Sequence, residues 1–144
     1  MAEGVFRHKL KVNGLENQVK IDSAGTGGWH EGEPPDSRAV SCMKAKGIDI
    51  SDLRARQVDT SDFTNFDRIF IMDRQNSNDI RDFYLDSDSE EKVEYLMDLA
   101  PYLKVRDVPD PYAGGPDGFE YVFDLINAAT DTLIEQVKES VKKK

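Results

Sequence analysis

The chain has 144 residues, 38% of them hydrophobic and 33% charged, and its 28 Asp and Glu against 19 Lys and Arg give a formal charge of −9. That length fits one domain with a core that needs no disulfide staples, and the single cysteine, Cys42, excludes an intrachain disulfide or a multi-cysteine metal cluster. So acidic a chain lacks the clustered Lys and Arg that nucleic acid or an anionic membrane requires. It has no apolar run of about 20 residues and no signal-peptide apolar region after Met1, so a cytoplasmic protein is expected.

Residues Ala2 to Val12 place Ala2, Val5, Phe6, Lys9 and Leu10 at helical spacing, with a stop at Asn13-Gly14. Gln18 to Ala24 alternates with β-branched residues and enters Gly25-Thr26-Gly27-Gly28, which reads as a strand running into a loop. Asp36, after Pro34-Pro35, caps a helix through Lys46 that ends at Gly47. Phe66 to Met72 contains the unbroken apolar run Ile69 to Met72, the pattern of a parallel strand covered on both faces. Asp73 then caps a helix reaching Tyr84.

Leu85 to Lys92 reads as an acidic, serine-bearing surface loop, Val93 to Leu99 as a further strand of undecided type, and Pro109 to Asp117 as a turn-rich loop. The last helix carries one stripe of Phe119, Val122, Phe123, Ile126, Ala129, Leu133, Val137 and Val141. Lys142 to Lys144 put positive charge at the negative end of its dipole. The pattern predicts an α/β fold: a doubly wound, mostly parallel sheet with helices on both faces, in a single domain over residues 1–144.

Ligands of such sheets gather in loops beyond the carboxyl ends of the strands. Three loops qualify: Gly25 to Pro35 with the sole tryptophan, Trp29; the turn at Asp73; and Val108 to Gly118 with Asp110 and Tyr112. The glycine run lacks both GxGxxG and GK[ST], and continues into Glu-Pro-Pro rather than a helix, so a loop presenting Trp29 is favoured over a nucleotide cradle. Asp86 to Glu91 resembles a calcium loop only faintly, because Glu91 stands where glycine is needed and Met97 where the closing glutamate belongs. His8 reads as a helix-surface residue and His30 as a loop residue, without acidic or cysteine partners at ligand spacing; no metal site is expected. Cys42, in mid-helix, reads as a small core or interfacial hydrophobe rather than a thiolate nucleophile. Asp110 lies between Pro109 and Pro111, which fix its backbone; the residues alone favour an ordinary turn aspartate.

Asp22-Ser23-Ala24-Gly25-Thr26, Trp29, Pro34-Pro35-Asp36-Ser37-Arg38, Gly47-Ile48, Arg54-Ala55-Arg56-Gln57, Phe66-Asp67, Met72-Asp73 and Asp110-Pro111-Tyr112 occur in that order. Together they resemble the low-molecular-weight protein tyrosine phosphatase family, from Met1 to the final helix. The resemblance implies that a cysteine thiolate attacks phosphotyrosine to give a phosphocysteine. An aspartic acid, here Asp110, protonates the leaving phenolate and then activates water. Trp29 and Tyr112 would form aromatic walls against the substrate ring, and Ser23 and Asp73 would be supporting polar residues near the catalytic loop. Ala113 stands where many relatives carry a second tyrosine. The implied partners are phosphotyrosine-containing proteins or small aryl phosphates; no cofactor is implied.

The family's nucleophile and phosphate-binding arginine lie in a CxxxxxR[ST] loop between its first strand and first helix, ahead of the stretch matching Met1-Ala2-Glu3-Gly4. No such motif occurs in these 144 residues. The expectation is therefore an N-terminally incomplete phosphatase-like domain, begun at an internal methionine and lacking phosphatase chemistry. The family's first strand lies between those matching Gln18–Ala24 and Phe66–Met72, so its loss would leave unpaired sheet edges open to self-association. Two other readings are a non-catalytic phosphotyrosine-binding module and an arsenate reductase, the latter disfavoured by a single cysteine.

Overall fold

A computed structural model describes residues 1–27, 31–109 and 115–142. Helix α1 (Ala2–Val12) buries Val5, Phe6 and Leu10, as its spacing predicts, and Gly14 follows it with φ +69°. Helix α2 (Ser37–Lys44) starts at Asp36, whose carboxylate accepts the Arg38 amide, and Gly47 closes the turn at φ +80°. A short α3 (Asp62–Asn65) precedes strand β1 (Ile69–Ile71). Asp73 caps α4 (Arg74–Ile80) by accepting the Asn76 amide at 2.8 Å, and a 3₁₀ turn (Arg81–Phe83) completes the predicted helical stretch.

The acidic segment expected as a loop instead forms α5 (Ser87–Glu91). Asp86 and Ser89 cap it reciprocally, and Ser89 is buried. Strand β2 (Val93–Tyr95) pairs with β1 in parallel, Phe70 opposite Glu94, and Leu96–Leu99 turns into a 3₁₀ helix rather than continuing the strand. The chain closes with α6 (Gly115–Lys142).

Two cores sit on opposite sides of β1. Ile71 packs with Phe63 and Ile80, joined by Ile69, whereas Phe70 and Met72 pack against the larger cluster built on α1 and α6. A strand that alternates its side chains between two apolar layers has to be apolar throughout, which is why Ile69 to Met72 reads as an unbroken run. The stripe of α6 is buried at Phe119, Val122, Ile126, Ala129 and Leu133. Lys9 of α1 ties down that helix, its ammonium reaching the Asn127 carbonyl, Thr130 Oγ1 and Asp131 Oδ1, each at 2.7 Å.

One expected strand is absent as such. Gln18 to Ala24 is extended but pairs in no ladder; its end makes a single parallel bridge, Gly25 with Gln57. The physical reason is a missing neighbour. Ladder formation needs a neighbour, and no other strand lies alongside this segment among the described residues. The observed architecture is α/β with a small two-stranded parallel sheet between helices.

Gly4 lies at the closest approach of α1 to the turn after α2, where a Cβ would collide with the buried Ile50 Cγ2. Gly4→Ala is expected to destabilise the fold by about 1–3 kcal/mol through overpacking, read as a lower urea midpoint at unchanged slope.

Candidate functional site

A cavity of about 490 Å³ runs between the extended segment Gln18–Thr26 and the stretch Phe66–Met72 that contains β1. Ala2, Glu3 and Phe6 of α1 and Leu133, Val137 and Val141 of α6 form one wall; Val58, Asp62 and Ile80 stand on the other. Val137 and Val141 continue the α6 stripe, but here they are only half-buried.

Both long edges of this groove are backbone. Among the described residues the amides of Val19 to Asp22 and of Ala24 have no hydrogen-bond partner, and that of Ser23 meets the Asp22 side chain at 2.8 Å. Across the groove, Ile69 donates to the Lys92 carbonyl on the β2 side. In a parallel ladder alternate residues point their N–H and C=O the opposite way, so those of Phe70 are directed from β2 toward the groove.

The charged groups of the walls are engaged with one another. Arg56 grips Asp62 with both terminal nitrogens, at 3.0 and 3.1 Å, while its Nε donates to Asp22 at 3.0 Å. Asp62 also accepts the Asp59 amide at 2.9 Å, and its hydrogen bond to Arg56 holds that guanidinium's pKa above the ordinary value. Glu3, buried in the first turn of α1, accepts from Arg7 and from Ser23 Oγ at 2.5 Å. Burial lowers the pKa of the α-amino group of Met1, against the opposing attraction of Glu3.

Of the residues proposed from the sequence, Ser23 lines the groove, held against Glu3. Asp73 stands at the carboxyl end of β1 as the cap of α4, coupled to Asn76, whose Oδ1 in turn accepts the Met72 amide at 3.1 Å. Trp29, His30, Asp110, Tyr112 and Ala113 lie outside the described residues. His8 is exposed on α1. Sequence reasoning gave Arg56, Asp62 and Glu3 no role. Arg56 was only one anchor among many, and the buried carboxylates of Asp62 and Glu3 look like any helix-start acid. Among the described residues no three His, Cys, Asp or Glu side chains are grouped to hold a metal ion.

Cys42 is remote in chemistry from this groove and does not line it. It is half-buried against the α1–α6 core, with Sγ 3.6 Å from Glu120 Oε1. Desolvation and the neighbouring Glu120 carboxylate raise its pKa, the opposite of what a thiolate nucleophile needs. Lys46, which pairs with Glu120 at 2.8 Å, lowers it by less.

The comparisons with known proteins agree on one family. The model of the low molecular weight phosphotyrosine protein phosphatase family matches residues 1–143. A low molecular weight protein-tyrosine-phosphatase of Streptomyces coelicolor is 38% identical over 144 residues, covering 99% of this chain and 87% of that protein. YfkJ of Bacillus subtilis is 35% identical over 96% of this chain and 87% of its own. Among solved structures, a protein tyrosine phosphatase from Entamoeba histolytica with Hepes in its active site superposes with a TM-score of 0.89 at 36% identity, covering 96% of this chain and 88% of that one. The crystal structure of YfkJ gives 0.87 at 34% identity, with 96% and 86% covered. The chain belongs to the low-molecular-weight protein tyrosine phosphatase family.

Two outcomes test the geometry. Arg56→Ala leaves the Asp62 carboxylate buried without its main partner and should cost about 1–3 kcal/mol in urea denaturation, with Asp62→Asn in that background recovering part of the loss. Alkylation of Cys42 by iodoacetamide should have its pH midpoint above that of free cysteine, because only the thiolate reacts. Glu120→Gln should move that midpoint to lower pH.

Proposed function

We propose that this chain is the acid-loop portion of a phosphotyrosine phosphatase domain, organised as one domain and acting in the cytoplasm on phosphotyrosine-containing proteins or small aryl phosphates. In the complete reaction a cysteine thiolate takes the phosphoryl group, and Asp110 gives its proton to the departing phenolate and then takes one from the water that releases phosphate. Trp29 and Tyr112 flank the ring of the substrate, and Ser23 and Asp73 support the loop that holds the phosphate. The family membership supports this reading, as does the run Asp110-Pro111-Tyr112.

The 144-residue chain itself carries no nucleophile for this chemistry. The observation that carries this part is the surroundings of Cys42. Ile48, not arginine, stands six residues on, and the Glu120 carboxylate lies 3.6 Å from Cys42 Sγ, where its charge opposes the approach of a dianion. The groove beside the Gln18–Ala24 segment supports the related reading that the first strand of the family's sheet and the CxxxxxR loop are not supplied by these residues. A second reading follows from the same observation: the chain binds phosphotyrosine through its aromatic residues without hydrolysing it.

Assay of the purified chain with p-nitrophenyl phosphate should give no turnover above buffer, unchanged by Cys42→Ala; turnover that survives Cys42→Ala would contradict the proposal. Joining a strand and CxxxxxR[ST] loop ahead of Met1 should create activity, and Asp110→Asn in that fusion should lower kcat by about 10²–10⁴-fold. Saturable binding of phosphotyrosine by the unfused chain, without release of phosphate, would favour the second reading.

A further inference from the structure

Helix α1 ends in an exposed arc strung between two buried leucines. Leu10 and Leu15 both sit in the larger core, and the Leu15 amide donates to the Leu10 carbonyl at 2.8 Å across a left-handed Gly14. Between them Lys11 to Gly14 are exposed, Val12 at 71%, and a Cβ placed on Gly14 would meet nothing within 4 Å. Three hydrogen bonds fix the tip of the arc. The Asn13 amide and Asn13 Nδ2 both donate to the Lys9 carbonyl, at 3.1 and 2.7 Å, and the Gly14 amide donates to that of Lys11 at 3.1 Å.

Asn13 is the one asparagine of the chain that a glycine follows. The carbon of an asparagine side-chain amide can close a five-membered ring with the next backbone nitrogen, and a Cβ on that next residue shields the nitrogen; glycine has none. In the closed turn this ring cannot form. Asn13 has ψ 5°, which turns the Gly14 nitrogen away from Cγ, and the attacking and leaving nitrogens are both tied to carbonyls. Releasing those two bonds uncovers no buried side chain, so the opening is local rather than global.

We propose that Asn13 is a deamidation site gated by the last turn of α1, with water as its co-reactant. When the turn opens, the Gly14 nitrogen attacks Asn13 Cγ; the new C–N bond closes a succinimide, and the side-chain nitrogen leaves as ammonia with the Gly14 amide proton. Water then opens either ring carbonyl, giving aspartate or isoaspartate at position 13. Nothing is oxidised or reduced. Both products work against the helix end. Aspartate puts negative charge at the negative end of the dipole and faces the Lys9 carbonyl with no proton to give. Isoaspartate lengthens the main chain between Leu10 and Leu15, whose hydrogen bond spans that arc. The proposal uses no residue of the groove and is independent of phosphatase chemistry.

The test incubates the full 144-residue chain at mildly alkaline pH, in buffer and in concentrated urea, and follows the tryptic peptide of residues 12–20 by mass spectrometry with fragmentation. Aspartate and isoaspartate should accumulate at position 13 ahead of every other asparagine. Conversion in buffer should be about 10- to 100-fold slower than in urea, because two hydrogen bonds must open first. Asn13→Gln, which would need a six-membered ring, should stay intact over the same period with an unchanged circular dichroism spectrum. Asn13→Asp should lower the urea midpoint and speed exchange of the Leu15 amide.

Equal rates in buffer and urea would overturn the gate. Conversion led by another asparagine, or none at Asn13 in buffer after several hundred half-times of the urea reaction, would overturn the site. An Asn13→Asp chain with the parent's midpoint and the parent's Leu15 exchange would overturn the coupling to α1.

Discussion

Every feature of this structure that bears on function depends on one constraint: the hydrogen-bonding groups of extended backbone must find partners. Among the described residues strand β1 finds them on one side only, in β2, and the segment Gln18–Ala24 finds them at Gln18, which donates to the Leu15 carbonyl, and just past its other end, through Gly25 and residues 56–58. Between the two lies the groove. The helices cannot close it, because their side chains offer apolar cover to the faces of a sheet but nothing to its edges. What holds the groove open is polar: Arg56 braces the Asp22 end against Asp62, and Glu3 braces Ser23 against α1.

This explains why the fold is recognisable although its sheet is small. The two apolar layers around β1, the docking of α1 on α6 and the caps of α2 and α4 are local or helix-to-helix features. Each forms without reference to the neighbouring strand. The Entamoeba histolytica phosphatase structure and that of YfkJ from Bacillus subtilis each superpose over 96% of the chain. The sole thiol, Cys42, is held beside the Glu120 carboxylate and does not line the groove.

Much of this was legible in the residues. The periodicity of Ala2–Val12, the caps Asp36 and Asp73, the stops at Gly14 and Gly47 and the two-sided burial of Ile69–Met72 all follow from local rules, and the structure has them. Where reading failed, a partner or a cap that periodicity does not carry decided. Gln18–Ala24 has the alternation of a strand, yet a strand is defined by its partner. The acidic Asp86–Glu91 has the composition of a loop, yet the reciprocal cap between Asp86 and Ser89 is worth more than that composition suggests. Leu96–Leu99 is apolar enough for a strand but curls to bury its side chains under α6. The Arg56–Asp62 clamp joins residues six apart whose meeting depends on a turn that no periodicity announces. Trp29, Asp110 and Tyr112 came from resemblance, and their roles stay with the proposal.

The most direct test is native-state hydrogen exchange on the monomeric chain without added ligand. The account predicts that the amides of Val19 to Asp22, Ala24 and Phe70 exchange close to the rate of unstructured peptide. The amides of α1, α6, Ile69 and Ile71 should be protected by several orders of magnitude. Slow exchange at Val19–Ala24 and Phe70 in that monomer would mean that the two edges are already paired, and would contradict the account.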